Sequence, residues 1–457
     1  MNKNNNVLII GAGLCGSLLA LRLAQRGYQV EVYESRPDLR VTDISVGKSI
    51  NLALSNRGFK ALRMAGVEEK AREICIPMFG RLIHDVQENT FVSNYSGQGK
   101  YINSISRGDL NGILLTAAEK HKNVTIYFNR ECKNIDIENN IATFYNHKSK
   151  ETLEVSGATI FGTDGAGSVL RKNYFLANKF LFSYSQDFLT HGYKELEIPA
   201  SKEGGHLISK DYLHIWPRGE YMLIALPNLD GSFTVTLFLG HDEGEYNFKE
   251  LNSKEKINTF FEKQFPDALK LIPNITEEFA NNPTGALGTI KSSPWYYKNK
   301  NLIMGDAAHA VVPFYGQGMN ASFEDVTVLD AIIEKYKDDL DAGNTNWEKV
   351  FKEYQNTRQE DAFAIGDLAV ENYYEMRDKV ADPIFMKKRK IEMQLEEKYD
   401  DYYSKYSMVT FKENLRYSEA MKRGRMQDEV LLNICKNSEI EQISLEDAYQ
   451  QLKSIEI

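Results

Sequence analysis

One stretch near the N-terminus constrains the chain more than any other. Residues 7–34 read VLIIGAGLCGSLLALRLAQRGYQVEVYE, in which an apolar run, Val7–Ile10, meets Gly11-Ala12-Gly13-Leu14-Cys15-Gly16. The run has the length of a buried parallel strand, and the six residues after it form a complete G-x-G-x-x-G. The spacing of Leu18, Leu19, Leu21, Leu23 and Ala24 predicts a helix, which Gly27 lets stop; Gln29–Tyr33 predicts a second strand ending at Glu34. Gly11 serves the tight turn, Gly13 the close approach of backbone to a pyrophosphate, and Gly16 the close packing of helix on strand. The helix N-terminus then offers free N–H groups and a positive dipole end to the diphosphate. Glu34 stands where an acid accepts hydrogen bonds from ribose hydroxyls. An acid there, rather than a cluster of arginines, argues against a 2′-phosphate, so this unit is expected to hold FAD or NAD and not NADP.

A secretory leader or membrane anchor does not fit the same residues. Three glycines and Arg22 interrupt the apolar run, and no small-residue cleavage site follows. The 457 residues are enough for two or three domains, and 42% hydrophobic with 26% charged residues is the balance of a globular protein. A net charge of −9 speaks against non-specific nucleic-acid binding. No apolar stretch reaches the ~18 residues a membrane helix needs. Cys15, Cys75, Cys132 and Cys435 are scattered, which points to free thiols in a reducing compartment, and the eight histidines show no zinc spacing, so no metal is expected.

Strand and helix alternate to about residue 175. Residues 106–121 carry apolar positions at helical spacing, with Ser106 or Asp109 as N-cap. Val124–Phe128, Ile141–Tyr145 and Glu154–Phe161 read as strands. From 180 to 284 the segments Tyr212–Gly219, Tyr221–Leu226 and Ser232–Leu239 alternate and are rich in aromatic and β-branched residues, with a turn at 227–231. After 320 the chain reads as helical, and Lys387-Lys388-Arg389-Lys390 reads as a solvated helix face. The expected fold is α/β: a Rossmann-like nucleotide domain (1–75, 103–180, 285–370), a β-rich inserted domain (76–102, 181–284) and a C-terminal helical region (371–457).

Two further glycine segments follow predicted strands. In Gly162-Thr163-Asp164-Gly165-Ala166-Gly167-Ser168, Asp164 can accept from a ribose or orient the loop. In Asn301–Asn320, Asp306 suits a ribityl or ribose hydroxyl. Gly316-Gln317-Gly318-Met319-Asn320 then opens a helix whose N-terminal amides would stabilise charge on a reduced flavin ring. His309 reads as structural rather than catalytic, because a flavin carries its own chemistry.

Taken in order, G-x-G-x-x-G, G-x-D-G-x-x-S-x-x-R and G-D-A-A-H-x-x-x-P-x-x-G-Q-G-x-N resemble the pattern of the class A single-component FAD aromatic hydroxylases, over the first 320 residues. The resemblance implies one bound FAD, with NADPH as a transient co-substrate that has no domain of its own and shares the Thr163–Arg171 loop. It implies reduction by NADPH, reaction with O2 through a flavin C4a-hydroperoxide, and no catalytic side chain beyond the flavin. Gly80-Arg81-Leu82-Ile83-His84, Ser104–Asn111, Asn372–Arg377 and Tyr406–Phe411 are further similar to the kynurenine 3-monooxygenase family. That likeness implies hydroxylation of L-kynurenine to 3-hydroxykynurenine, with Arg81, Tyr95, Asn372 and Tyr406 on the substrate and Arg107 on the cofactor.

The residues agree with such a substrate. Arg81 offers a planar fork for a carboxylate, Tyr95 and Tyr406 add neutral hydrogen bonds, and Asn372 can donate or accept. The interval from Asn372 to Tyr406 is one residue shorter than the family spacing, which leaves Tyr402 and Tyr403 as alternatives, though the local motif favours Tyr406. Tyr315 stands where the family has His or Phe. A class A hydroxylase of a phenolic or salicylate-like acid stays open as the other substrate class. A flavoprotein reductase without oxygen chemistry is a third reading, separated by O2 consumption with hydroxylated product. Family members from eukaryotes carry a hydrophobic C-terminal anchor; this chain ends NSEIEQISLEDAYQQLKSIEI, so a cytoplasmic enzyme without a membrane span is expected.

Overall fold

The computed structural model describes residues 6–41, 51–177, 181–338, 347–379, 382–437 and 440–455. Asn6–Ile10 is the centre of a six-stranded sheet, parallel to Thr159–Gly162 on one side and Gln29–Tyr33 on the other. Val7 to Ile10 are all buried, which is why the run carries no alternation: both faces of the strand are covered. Val124–Tyr127 and Asn301–Ile303 extend the sheet in parallel, and Tyr296–Tyr297 closes it antiparallel. The helix Leu14–Gln25 crosses between the first two strands as the spacing predicts, and ends before Gly27, whose φ is +88°.

The expected strand Glu154–Phe161 is two strands. Thr152–Ser156 belongs to a three-stranded antiparallel meander with Arg130–Asp136 and Ile141–Asn146, whereas Thr159–Gly162 enters the parallel sheet. Gly157, at φ +84°, turns the chain between them, a break that an apolar pattern does not register.

The aromatic segment after 180 forms a seven-stranded sheet, antiparallel except where Tyr212–Pro217 runs parallel to Gly80–His84. Its organising strand is Ser183–Ile198, which pairs with Gly285–Ser293 along its first half and Phe233–Gly240 along its second. Gly285–Ser293, placed by the sequence division in the nucleotide part, thus lies in this sheet. Asn51–Leu54, Ile102–Ser106 and Cys75–Met78 form a smaller antiparallel sheet, with Ile102–Ser106 in the middle. Below them run the helices Gly318–Lys335 and Trp347–Tyr374, then Pro383–Lys398, Lys405–Phe411 and Tyr417–Asn437.

The basic run 387–390 is a solvated face only at Lys390. Lys388 is buried in ion pairs with Glu392 and Asp428, and Arg389 donates to the carbonyls of Asn94 and Tyr95. A buried cation needs matched acids, and Glu392 and Asp428 supply them from one turn on and from a neighbouring helix. Among the described residues no helix is long and apolar enough to cross a membrane, no group of His, Cys, Asp and Glu could hold a metal, and all four cysteines are free.

Candidate active site

Ile10, Tyr33, Gly162 and Ile303 end parallel strands at one edge of the first sheet, which delivers all three glycine segments to the same place. Gly11 leaves its strand at φ +95°, and its N–H donates to Tyr33 O at 2.8 Å. A Cβ on Gly16 would lie 2.0 Å from Gly11 O and 2.5 Å from Thr163 Oγ1, so only glycine lets the helix seat there. Gly13 differs: a Cβ on it meets nothing within 4 Å, and it caps the helix with no side-chain hydrogen bond. The space in front of Gly13 and the uncapped amides behind it fit a diphosphate.

Ala12 fixes the pose of this loop. Its carbonyl accepts from Asn111 Nδ2 and Ser17 Oγ, both at 3.0 Å, and its N–H donates to Glu34 Oε2 at 2.8 Å. Glu34 Oε1 also takes the N–H and Nε of Arg36. Burial raises the Glu34 carboxyl, but Arg36 and the Ala12 amide outweigh it and hold the group below its ordinary range. Ser35 Oγ adds a longer bond to Glu34 Oε1 at 3.3 Å. A carboxylate has about four acceptor sites, so a ribose hydroxyl would have to displace or share one of these four bonds.

The second and third segments are tied together by Arg171, which donates to Ala307 O at 2.8 Å and to Ala166 O. Asp164 Oδ2 accepts from Val169 N at 2.6 Å, bracing its loop, while Oδ1 is buried with no hydrogen-bond partner among the described residues. Burial pushes the Asp164 carboxyl up, against the pull of Ser168 and Val169. Asp306 opens onto the cavity, where the enclosing protein also raises it despite His309 and Arg107 nearby. His309 is not free for chemistry: Nε2 meets Asp325 Oδ2 at 2.6 Å, and Asp325 also takes Gly305 N and Arg358 Nε.

In the last motif, Gly316, at φ +65°, Gly318 and Met319 line the cavity, and Gln317 and Asn320 do not. Gln317 accepts from Tyr417 Oη at 3.0 Å. Asn320 donates to Ala53 O and Gly316 O and accepts from Ser55 N. Both therefore brace the turn from behind. Arg57 binds the C-terminal helices to this frame through Val409 O, Leu415 O and Glu324.

A cavity of about 510 Å³ opens in front of these segments. One end is lined by Gly13, Arg107, Asp306, Gly316, Gly318 and Met319, the other by Arg81, Tyr95 and Tyr406, with an apolar wall of Met222, Ile224, Leu226 and Phe238. Arg81 lies against the rings of Tyr406 and Tyr95, 5.1 and 5.7 Å from their centroids. Arg81 Nε and Tyr95 Oη are buried with no hydrogen-bond partner among the described residues. Burying such donors unpaired costs about 1–3 kcal/mol each, a cost that a ligand acceptor would offset.

Of Tyr402, Tyr403 and Tyr406, Tyr406 lines the cavity. Tyr402 packs with Ile391, Leu395 and Leu431 in the C-terminal helices, and Tyr403 lies under Lys412, 3.3 Å from its ring centroid. Tyr315 stacks on Tyr406 at 5.6 Å and 17°, extending the aromatic wall. Asn372 is not brought to the cavity surface; its Nδ2 donates to Phe314 O at 2.7 Å. Asn111, Asp325 and Asn51 are site residues that motif reading missed. Asn111 lay within a quoted segment, but nothing in the sequence says its amide reaches the first glycine loop. A second cavity of about 750 Å³, lined by Ser104, Pro227, Glu195 and Glu278, meets the first at Asn51, Tyr193 and Thr234.

Residues 4–188 and 292–343 match the family model described as an FAD binding domain. The chain is 44% identical to the kynurenine 3-monooxygenase of Flavobacterium johnsoniae over 444 residues, 97% of this chain and 96% of that one. It is 42% identical to the enzyme of that name from Dictyostelium discoideum over 460 residues, 98% of both. In fold it is similar to p-nitrophenol 4-monooxygenase from Pseudomonas putida, with a TM-score of 0.64 at 17% identity, covering 94% of this chain and 96% of that one.

Proposed function

The chain belongs to the kynurenine 3-monooxygenase family of FAD-dependent aromatic hydroxylases, and we propose that Arg81, Tyr95 and Tyr406 clamp the amino-acid end of its substrate, L-kynurenine. The reaction is hydroxylation to 3-hydroxykynurenine with NADPH and O2. The bound FAD would supply the redox chemistry, hydride acceptance from NADPH and activation of O2. Gly11, Gly13 and Gly16 would seat its diphosphate, Glu34 and Asp164 would serve its sugar hydroxyls, and Arg107, Asp306, Gly316, Gly318 and Met319 would hold its flavin end.

The protein's own part is binding, orientation and dryness. The Arg81 guanidinium supplies a charge-assisted contact to the substrate carboxylate, and Tyr95 Oη adds a second donor. Stacked rings on one side and Met222, Ile224, Leu226 and Phe238 on the other confine the aryl group. The aromatic amine already activates the neighbouring ring carbon, so no strong protein base is required. Exclusion of water from the oxygen chemistry matters more, and the apolar wall provides it. Asn372 acts through Phe314, whose carbonyl it holds at the head of the glycine turn.

The observation that carries the reading is a pair of orphaned buried donors, Arg81 Nε and Tyr95 Oη, in the same cavity as the glycine segments. Rapid mixing of the FAD-loaded protein with NADPH without oxygen, with and without L-kynurenine, tests it. Faster flavin reduction with L-kynurenine, and 3-hydroxykynurenine once oxygen is admitted, are expected. NADPH oxidation indifferent to L-kynurenine, with no hydroxylated product, would refute it.

A further inference from the structure

Asn51 is nine-tenths buried at the start of the strand Asn51–Leu54, and its amide is locked. Nδ2 donates to Ser104 Oγ at 3.0 Å and to Pro227 O at 2.8 Å, and Ser104 Oγ donates to the same carbonyl at 2.9 Å. Ser104 and Pro227 line the second cavity and not the first, so the nitrogen edge of the amide is turned away from the active cavity. Oδ1 is buried and accepts nothing among the described residues.

Three buried polar atoms without partners belong to side chains lining the active cavity: Arg81 Nε, Tyr95 Oη and Asn51 Oδ1. The first two donate and suit a carboxylate. An amide oxygen can only accept, so Asn51 calls for an N–H or O–H on the ligand. Its place in the fold narrows the choice. Asn51 and Ala53 lie on one face of their strand, about 7 Å apart by strand geometry. The Ala53 methyl is 3.0 Å from where a Cβ on Gly316 would stand, which puts this strand beside the flavin-end turn. The carbonyl that anchors Nδ2 ends the strand Met222–Pro227, whose Met222, Ile224 and Leu226 make the apolar wall.

We infer that Asn51 Oδ1 accepts a hydrogen bond from the arylamine of L-kynurenine and so sets which ring carbon faces the flavin. This rests on the substrate reading above. Of the nitrogen donors of that molecule, the ammonium sits on the carbon that bears the carboxylate and stays with Arg81. The arylamine lies at the far, ring end, next to the carbon that is hydroxylated. Donation from the amine to a fixed carbonyl prevents the ring from flipping about its bond to the ketone. It also leaves electron density on nitrogen to feed the ring. Asn51 is thereby a specificity-determining residue that separates aminoaryl substrates from those lacking the amine.

The test uses FAD-loaded wild type and Asn51→Ala, with Asn51→Val as a second variant that keeps side-chain bulk. The ligands are L-kynurenine and its analogue without the arylamine, L-2-amino-4-oxo-4-phenylbutanoate. Dissociation constants are read from the flavin absorption change, and hydroxylated product is measured per NADPH consumed. Loss of one neutral hydrogen bond weakens L-kynurenine by about fivefold. The analogue should bind the variants as it binds wild type, and product per NADPH from L-kynurenine should fall. Ser104→Ala, which frees the nitrogen edge but keeps Oδ1, should retain the preference for L-kynurenine. Equal weakening of both ligands overturns the inference. So does an altered flavin spectrum in the ligand-free variants with unchanged ligand preference, which would give the acceptor to the flavin imide instead. A wild type that neither binds nor hydroxylates L-kynurenine would bring down the substrate reading, and this inference with it.

Discussion

Tyr406 stacks on Tyr95 with ring centroids 5.4 Å apart and planes 10° from parallel. The two residues come from distant parts of the chain, one beside the seven-stranded sheet and one on a C-terminal helix, and Arg81 lies against both. The proposed substrate clamp is therefore complete only when the C-terminal helices are docked on the sheet. Arg57, buried under Val409 and Leu415, and Arg389, held on the carbonyls of Asn94 and Tyr95, are two of the cations that fasten that docking.

Arg81→Ala removes a charge-assisted contact worth about 2–4 kcal/mol, or roughly 30–1000-fold in kcat/KM for L-kynurenine. FAD content and visible spectrum should stay intact, and kynurenine-stimulated NADPH oxidation should disappear. Tyr406→Phe keeps the stacked ring and should cost only about 0.5–1.5 kcal/mol. Tyr402→Phe should leave kcat/KM unchanged, since that phenol lies outside the cavity. Steady-state 3-hydroxykynurenine formation in the three variants checks the order, and near-wild-type Arg81→Ala would remove Arg81 from the site.

Gly13 and Gly16 should fail in opposite ways. Gly13→Val places its side chain where the protein has no atom within 4 Å of the Cβ, at extended backbone angles that valine adopts. It should fold with an unchanged far-UV spectrum and lose FAD. Gly16→Ala forces a methyl against Gly11 O and Thr163 Oγ1, and overpacking of this kind costs about 1–3 kcal/mol or more. It should lower Tm before any effect on flavin is considered. Tm measured on the flavin-free forms, with flavin content per chain, separates the two.

The glycine segments were legible because their residue type is dictated by backbone: φ of +95° at Gly11 and +65° at Gly316 leaves little choice. The alternation at Ser232–Leu239 was legible for the same kind of reason, since a sheet face imposes a period of two. The roles of polar side chains were harder to read. Glu34, Asp164, Gln317 and Asn320 were all expected on the cofactor, yet each takes protein donors or acceptors that brace a loop. A short polar side chain can serve ligand or backbone equally well, and only the fold says which is nearer. The burial of Lys388 was invisible because Asp428, its partner, lies 40 residues along the chain.

Asn372 tests that distinction directly. Its amide donates to Phe314 O, so Asn372→Ala should free the turn that carries Tyr315 and Gly316. The flavin absorption of the substrate-free protein should shift, and KM for L-kynurenine should rise by less than about tenfold, the loss of one neutral hydrogen bond. A substrate-free spectrum identical to wild type, with the whole effect in KM, would return Asn372 to direct substrate contact.

Asp325 should govern acid stability. It is fully buried between His309 and Arg358 and also accepts from Gly305 N. Burial raises its carboxyl, but His309 and Arg358 prevail and the group sits below its ordinary value of 3.8. A carboxyl depressed in the folded state stabilises fully above that ordinary value, and the contribution drains away as pH falls through the lower folded value. Asp325→Asn takes from Arg358 the nearest of three carboxylates, at 2.9 Å, and leaves Glu324 at 3.3 Å and Asp361 at 3.7 Å, so the cost should fall below the figure of about 3–5 kcal/mol for a buried pair broken outright. Urea unfolding at pH 7 should show that difference in full. Repeated at decreasing pH below about 4, the wild type should lose its advantage, because its own Asp325 becomes protonated and resembles the amide. A gap between wild type and Asp325→Asn that stays constant down to pH 2.5 would show that the carboxylate charge contributes nothing and that the side chain acts only by filling space.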